Sequence, residues 1–144
     1  MSATNVSVAP VFIDTNIWLY AFNQSQDKQK HQLAKRLIRQ TSRIVVSNQV
    51  VNEVSVNLLR KFQASEDDVR KIIRSFYRKY IVIELNRNIV LHASDLRTSY
   101  NFSFWDSVLV ASGLAAGATI LYSEDMQHGL IVQNQLSITN PLKI

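Results

Sequence analysis

Short apolar runs rich in β-branched residues recur along this chain, each giving way to a longer segment with helical spacing, and that alternation admits few folds. The runs are Val11 to Ile13 (VFI), Arg43 to Ser47 (RIVVS), Ile81 to Ile83 (IVI) and Thr119 to Tyr122 (TILY), with Leu136 to Thr139 (LSIT) a further one before Asn140-Pro141. The first ends abruptly at Asp14-Thr15-Asn16, residues that cap or turn, and so reads as a buried strand feeding a helix. Lys28 to Gln40 then sets Leu33, Leu37 and Ile38 inward and Lys30, Lys35, Arg36 and Arg39 outward. Asn48 can cap a helix whose Val50, Val51, Val54, Leu58 and Phe62 share one face, ending near Gln63. Ser65 to Tyr80 is the best-marked helix: Ser65 and Asp68 form a capping-box pattern, acids fill the first turn, and Arg and Lys the last. Asn86 to Ser99 predicts another, and Phe104 to Ala116, apolar on nearly every side, predicts a buried one. The order dictates an α/β fold, a mostly parallel sheet of four to five strands with helices on both faces.

No stretch rich in Pro, Gly or Ser reads as a linker, so the 144 residues are expected to form one domain, 1–144. Cysteine is absent, which excludes disulfides, thiolate zinc sites and a catalytic thiol. Any metal must be held by Asp, Glu, Asn or one of the three histidines. Met1 to Pro10 lacks the basic start and apolar core of a secretory signal, and a cytoplasmic protein is expected. Phe102 to Tyr122 approaches membrane-spanning length, but Asp106, Gly113 and Gly117 interrupt it, so no membrane segment is expected. Sixteen Lys and Arg against eleven Asp and Glu leave a net charge of +5, which favours a polyanionic partner.

In open parallel sheets, ligands bind beyond the carboxyl ends of the strands. Asp14 follows VFI there, and Asp125 follows TILY-Ser123-Glu124. Asp106 lies in the first turn of the apolar helix, and Glu53 lies one turn into the helix after the second strand. Carboxylates converging in a cleft repel one another, and protonation or a cation must relieve that repulsion. Hard divalent cations prefer oxygen ligands and complete their shells with water and substrate phosphate. Each acid also has a plainer reading. Asp14 can be a helix cap, Asp106 can close a capping box with Ser103, Glu53 can be solvated flank, and Asp125 can shape a turn.

Taken together, these segments resemble the PIN-domain family of metal-dependent ribonucleases, particularly the toxin subunits of VapBC-type toxin–antitoxin pairs. FIDTNIWLYAF is similar to the family's opening strand with its Asp-Thr-Asn motif, and NQVVNEVSVNLLRK to the segment carrying its glutamate. FSFWDSVLVASGLAAGA is similar to its buried helix with an Asp in the first turn, and ILYSEDMQHG followed by ITNP to its closing segment. The resemblance implies a PIN-like three-layer sandwich and an endoribonuclease using Mg²⁺ or Mn²⁺. It implies Asp14, Glu53, Asp106 and Asp125 as metal ligands, with Asn16 and Ser123 in support. Many members close with Thr-x-Asp-x-Asp, whereas here Ser123-Glu124-Asp125 is followed by Gln127, so Glu124 competes with Asp125 for the fourth position. An RNA substrate, a small antitoxin partner and homodimer formation are further implications.

Arg70, Lys71, Arg74 and Arg78 share the outer face of the Ser65 to Tyr80 helix and can track a phosphate backbone, although a solvated face is the ordinary reading. His31, His92 and His128 are widely separated, and none is assigned as a ligand. A haloacid-type phosphatase would need a second acid at position 16, which is Asn. The remaining rival is a non-catalytic RNA-binding or protein-interaction module in which the acids are caps.

Overall fold

The computed structural model describes residues 8–143, so most of the stretch read above for a secretory signal lies outside the described residues. Six strands form one sheet: β1 (Val11–Ile13), β2 (Ile44–Ser47), β3 (Ile81–Ile83), β4 (Ile120–Tyr122), β5 (Ile131–Val132) and β6 (Leu136–Thr139). Their order is β3-β2-β1-β4-β6-β5, parallel throughout except for the β5–β6 pair. Six helices intervene: α1 (Thr15–Phe22), α2 (Lys28–Gln40), α3 (Asn48–Lys61), α4 (Glu66–Lys79), α5 (Arg87–Ser99) and α6 (Phe104–Ala115).

The chain winds outward from β1 to β2 and β3, then returns past β1 to β4. Right-handed crossovers therefore set α1 to α4 on one face of the sheet and α5 and α6 on the other. Contacts agree, since α1 to α4 pack among themselves and α5 packs on α6. Phe12 and Ile13 fill the middle of the core from β1, and Trp18 is pinned beneath α1 by its indole N–H, which donates to the Ile13 carbonyl at 3.1 Å. Trp18, Phe76 and Tyr80 then interlock, edge to face or tilted, to seat α4 against α1. Gly117, at φ +76, turns the chain out of α6 and into β4, a conformation that other residues adopt at a cost.

Four expectations need correction. A sixth strand, β5, extends the sheet beyond the four to five expected; Gln133 and Asn134, both at positive φ, make its tight turn. Ser47, not Asn48, caps α3, its hydroxyl accepting from the Val50 N–H, while the Asn48 carbonyl oxygen accepts from the Leu85 N–H at 3.2 Å. That helix stops at Lys61, two residues short of Gln63, whose φ of 55 is left-handed. In α6 the first turn is not buried: Phe104 and Trp105 are both exposed. Among the described residues no helix is long and apolar enough to cross a membrane.

Candidate active site

The winding direction reverses between β1 and β4, where a crevice opens at the carboxyl ends of adjacent parallel strands. Asp14 leaves β1 there and Ser123 leaves β4, and the register Ile13↔Tyr122 brings them side by side. Asp14 is only 9% exposed. Its Oδ1 accepts from the Thr15 N–H at 2.7 Å, so it does cap α1, and its Oδ2 accepts from the Ser123 hydroxyl at 2.8 Å. The Ser123 Oγ in turn accepts from the Met126 N–H at 3.3 Å, which fixes the loop after β4.

Glu53 is not a solvated flank. It turns toward Asp14, with Oε2 accepting from the Thr15 hydroxyl at 2.9 Å and Oε1 from the Gln49 amide at 2.7 Å. Asp125 accepts from the Asn16 amide. For Asp106, half of the capping box forms: its N–H donates to the Ser103 hydroxyl at 3.2 Å. Among the described residues nothing donates to its carboxylate, which is left free at the cleft edge.

Glu124 is committed elsewhere. Its two oxygens take the Tyr20 hydroxyl at 2.7 Å and the Lys30 ammonium at 2.6 Å, and the second bond holds the Lys30 pKa above its ordinary value. Lys30 is therefore drawn inward, contrary to its expected place on the outer face of α2. The Tyr20 phenol is likewise pushed up, by burial first and then by its bond to Glu124.

Burial raises the Asp14 carboxyl from 3.8 to about 6, against the two hydrogen bonds that lower it; the charges of Asp106 and Glu53 add to the rise. Three open clefts border the neighbouring acids. One of about 400 Å³ is lined by Asn16, Glu53, Lys61, Glu124 and Asp125 among others. A second, of about 370 Å³, is bordered by Asp106 and Asp125. The third, about 500 Å³, runs from Glu53 to Gln49 and Trp105. The carboxylates that border these clefts offer hard oxygen donors, the kind a divalent cation of the Mg²⁺ type accepts. Their spacing is open, however: among the described residues no three of His, Asp and Glu stand close enough to close around one ion. The donor chemistry fits such an ion, with Asp14, Glu53, Asp106 and Asp125 the residues that would hold it.

Arg70, Lys71, Arg74 and Arg78 are exposed on α4 and do not line the acid cleft; Arg70 is paired with Asp67 at 2.7 Å. The histidines are engaged by Tyr20, Gln133 and the Asn140 N–H respectively. Thr15, Gln49, Lys61 and Trp105 were not singled out from the sequence. Thr15 and Trp105, each beside a candidate acid, carry a local signal that can expose them, whereas Gln49 and Lys61 do not.

A doubly wound α/β domain with carboxylates gathered at its strand switch defines a class of site suited to phosphate chemistry. The family model of the PIN domain matches residues 11–129, and the chain belongs to that family. No curated protein matches it in sequence. Its fold is similar to that of VapC20 from Mycobacterium tuberculosis, a sarcin-ricin loop cleaving toxin, with TM-score 0.66 at 21% identity over 80% of this chain and 89% of that one. It is also similar to a toxin–antitoxin complex from Klebsiella pneumoniae, with TM-score 0.68 at 19% identity over 93% and 99% of the two chains. A third is VapBC2 from Rickettsia felis bound to a DNA fragment from their promoter, with TM-score 0.64 at 17% identity over 91% and 99%.

Proposed function

We propose that the chain is a metal-dependent endoribonuclease and the toxin of a type II toxin–antitoxin pair. The observation that carries the reading is the buried Asp14 at the crevice between β1 and β4, with Glu53 and Asp106 near enough for their charges to act on its carboxyl and Asp125 lining the adjoining clefts. When bound, Mg²⁺ or Mn²⁺ supplies Lewis acidity toward a phosphodiester and offsets the charge that develops on the leaving oxygen. The chain's own residues prepare that event. Ser123 and the Thr15 N–H orient Asp14, Thr15 and Gln49 aim Glu53, and Asn16 holds Asp125. Glu124, neutralised by Lys30, positions the loop, so Asp125 takes the fourth acidic role. In-line attack of water and departure of the 3′-oxygen leave a 5′-phosphate.

The likeness to toxin–antitoxin complexes supports a small antitoxin partner. Val90 and Leu91 on α5 and Ile131 on β5 are exposed apolar side chains that pairing of two copies could cover. A single cytoplasmic domain accords with this role. The test is cleavage of defined single-stranded RNAs with Mg²⁺ or Mn²⁺ by the wild type, Asp14→Asn and Asp106→Asn. The wild type cuts, and each variant falls to the no-enzyme background; full activity in Asp14→Asn sinks the proposal.

One observation favours a non-catalytic RNA-binding or interaction module, namely that no three acids close around a point among the described residues. A Mn²⁺ titration separates the two: saturable binding lost in Asp14→Asn belongs to the nuclease, and weak binding indifferent to Asp14 belongs to the module.

A further inference from the structure

A second cleft adjoins the acid cleft. It is the space of about 500 Å³ lined by Asn48, Gln49, Asn52, Glu53, Leu85 and Trp105, and it touches the acids through Glu53 alone. Trp105 is 57% exposed, an unusual place for an indole, and immediately precedes Asp106. Its ring is held. Phe104 meets it edge to face at 5.1 Å, and the Arg97 guanidinium lies over Phe104 at 4.5 Å while also donating to the Ser107 hydroxyl at 2.7 Å. Across the cleft, Gln49 is 8% exposed, and its amide donates to Glu53 and to the Trp105 carbonyl at 3.4 Å. Among the described residues none donates to the buried Gln49 Oε1, an arrangement that costs stability unless something supplies a donor.

We propose that this cleft is a nucleobase subsite: a base flanking the scissile phosphate leaves the stack and lies against the Trp105 ring, with the Gln49 and Asn52 amides facing its polar edge. The inference rests on the nuclease reading given above. An aromatic face with amides beside it suits a nucleobase, because every base presents a π-face and a mixed donor and acceptor edge. The placement also fits the chemistry, since Glu53 lies on the wall shared with the acid site and Trp105 is one residue from Asp106. A base seated here positions its own phosphate over the acids and makes cleavage sequence-selective and confined to unpaired RNA.

Two measurements test this. The first uses kcat/KM and the cut-site profile of a mixed-sequence single-stranded RNA with Mn²⁺. Trp105→Ala lowers kcat/KM by about 10-fold or more, chiefly through KM, and blurs the preferred cut sites, while Trp105→Phe recovers most of both. The second uses fluorescence of the Asp14→Asn protein, in which Trp18, at 1% exposure, is shielded and Trp105 carries the solvent-facing signal. A single-stranded RNA 12-mer quenches it, and the same oligomer with an abasic residue at the preferred position does not. Wild-type cutting together with an unchanged rate and profile in Trp105→Ala overturns the subsite. Base-dependent quenching without any metal-dependent cutting by the wild type overturns hydrolysis but leaves the subsite standing.

Discussion

Asp14 satisfies two demands that pull on the same carboxylate. As the cap of α1 it accepts from the Thr15 N–H, and as the floor of the crevice it is almost wholly desolvated. Desolvation outweighs both its hydrogen bonds, so the folded protein holds a proton there at pH values where the unfolded chain has lost it. Between 3.8 and about 6, the folded state therefore binds more protons than the unfolded one, and stability falls as pH rises through that window. At about 1.4 kcal/mol for each pH unit, the full effect reaches about 3 kcal/mol above pH 6. Asp14→Asn removes the charge while keeping an oxygen for the cap. In EDTA it should raise the melting temperature at pH 7.5, and by much less at pH 4.5. Mn²⁺ should then raise the wild-type melting temperature at pH 7.5 and not that of the variant, since only the carboxylate gains from an ion. An equal gain from Asp14→Asn at both pH values would locate its cause outside the buried charge.

At the scale of elements, α6 carries Asp106 in its first turn and packs on β1 and β6 near its other end, through Gly113. A Cβ at that position would meet Leu136 Cδ2 at 3.4 Å and the Phe12 ring at 3.6 Å, ordinary contact distances. Gly113→Ala should therefore stabilise the fold by up to about 1 kcal/mol through helix propensity, read as a higher denaturant midpoint at unchanged slope. Gly113→Leu should cost about 1–3 kcal/mol, because the added branches overfill the seam against Phe12. The central strands were legible because β1 and β2 are buried on both faces and their apolar runs are unbroken. β5 was not, being two residues long and closed by Gln133-Asn134 rather than by a turn pair such as Asn-Gly. The cap of α3 was misplaced by one residue because Ser47 is both the last residue of β2 and the cap. For the site, acids at strand ends could be found by position. Their partners could not: the Thr15–Glu53 and Lys30–Glu124 bonds span 38 and 94 residues and arise only from the crossover geometry.

For the whole molecule, the net charge of +5 is distributed unevenly around the crevice. Lys30 is neutralised by Glu124 and Arg70 by Asp67, which leaves Lys61 as the basic residue lining the acid cleft. Phe62 borders that cleft and also the next one, which reaches Lys71 on α4. A chain of nucleotides leaving the acids in this direction would meet Lys61 first and the basic face of α4, with Lys71, Arg74 and Arg78, only further along. Salt dependence can read that order, because each phosphate neutralised on a single strand contributes about 0.7 to the slope of log K against log salt. In the Asp14→Asn background, where binding is separated from cutting, Lys61→Ala should flatten the slope by about that amount for short and long RNAs alike. Arg74→Ala should leave the slope unchanged for an oligomer that fills only the acid cleft and flatten it for one long enough to pass Phe62. If Lys61→Ala leaves both slopes intact, the strand exits elsewhere.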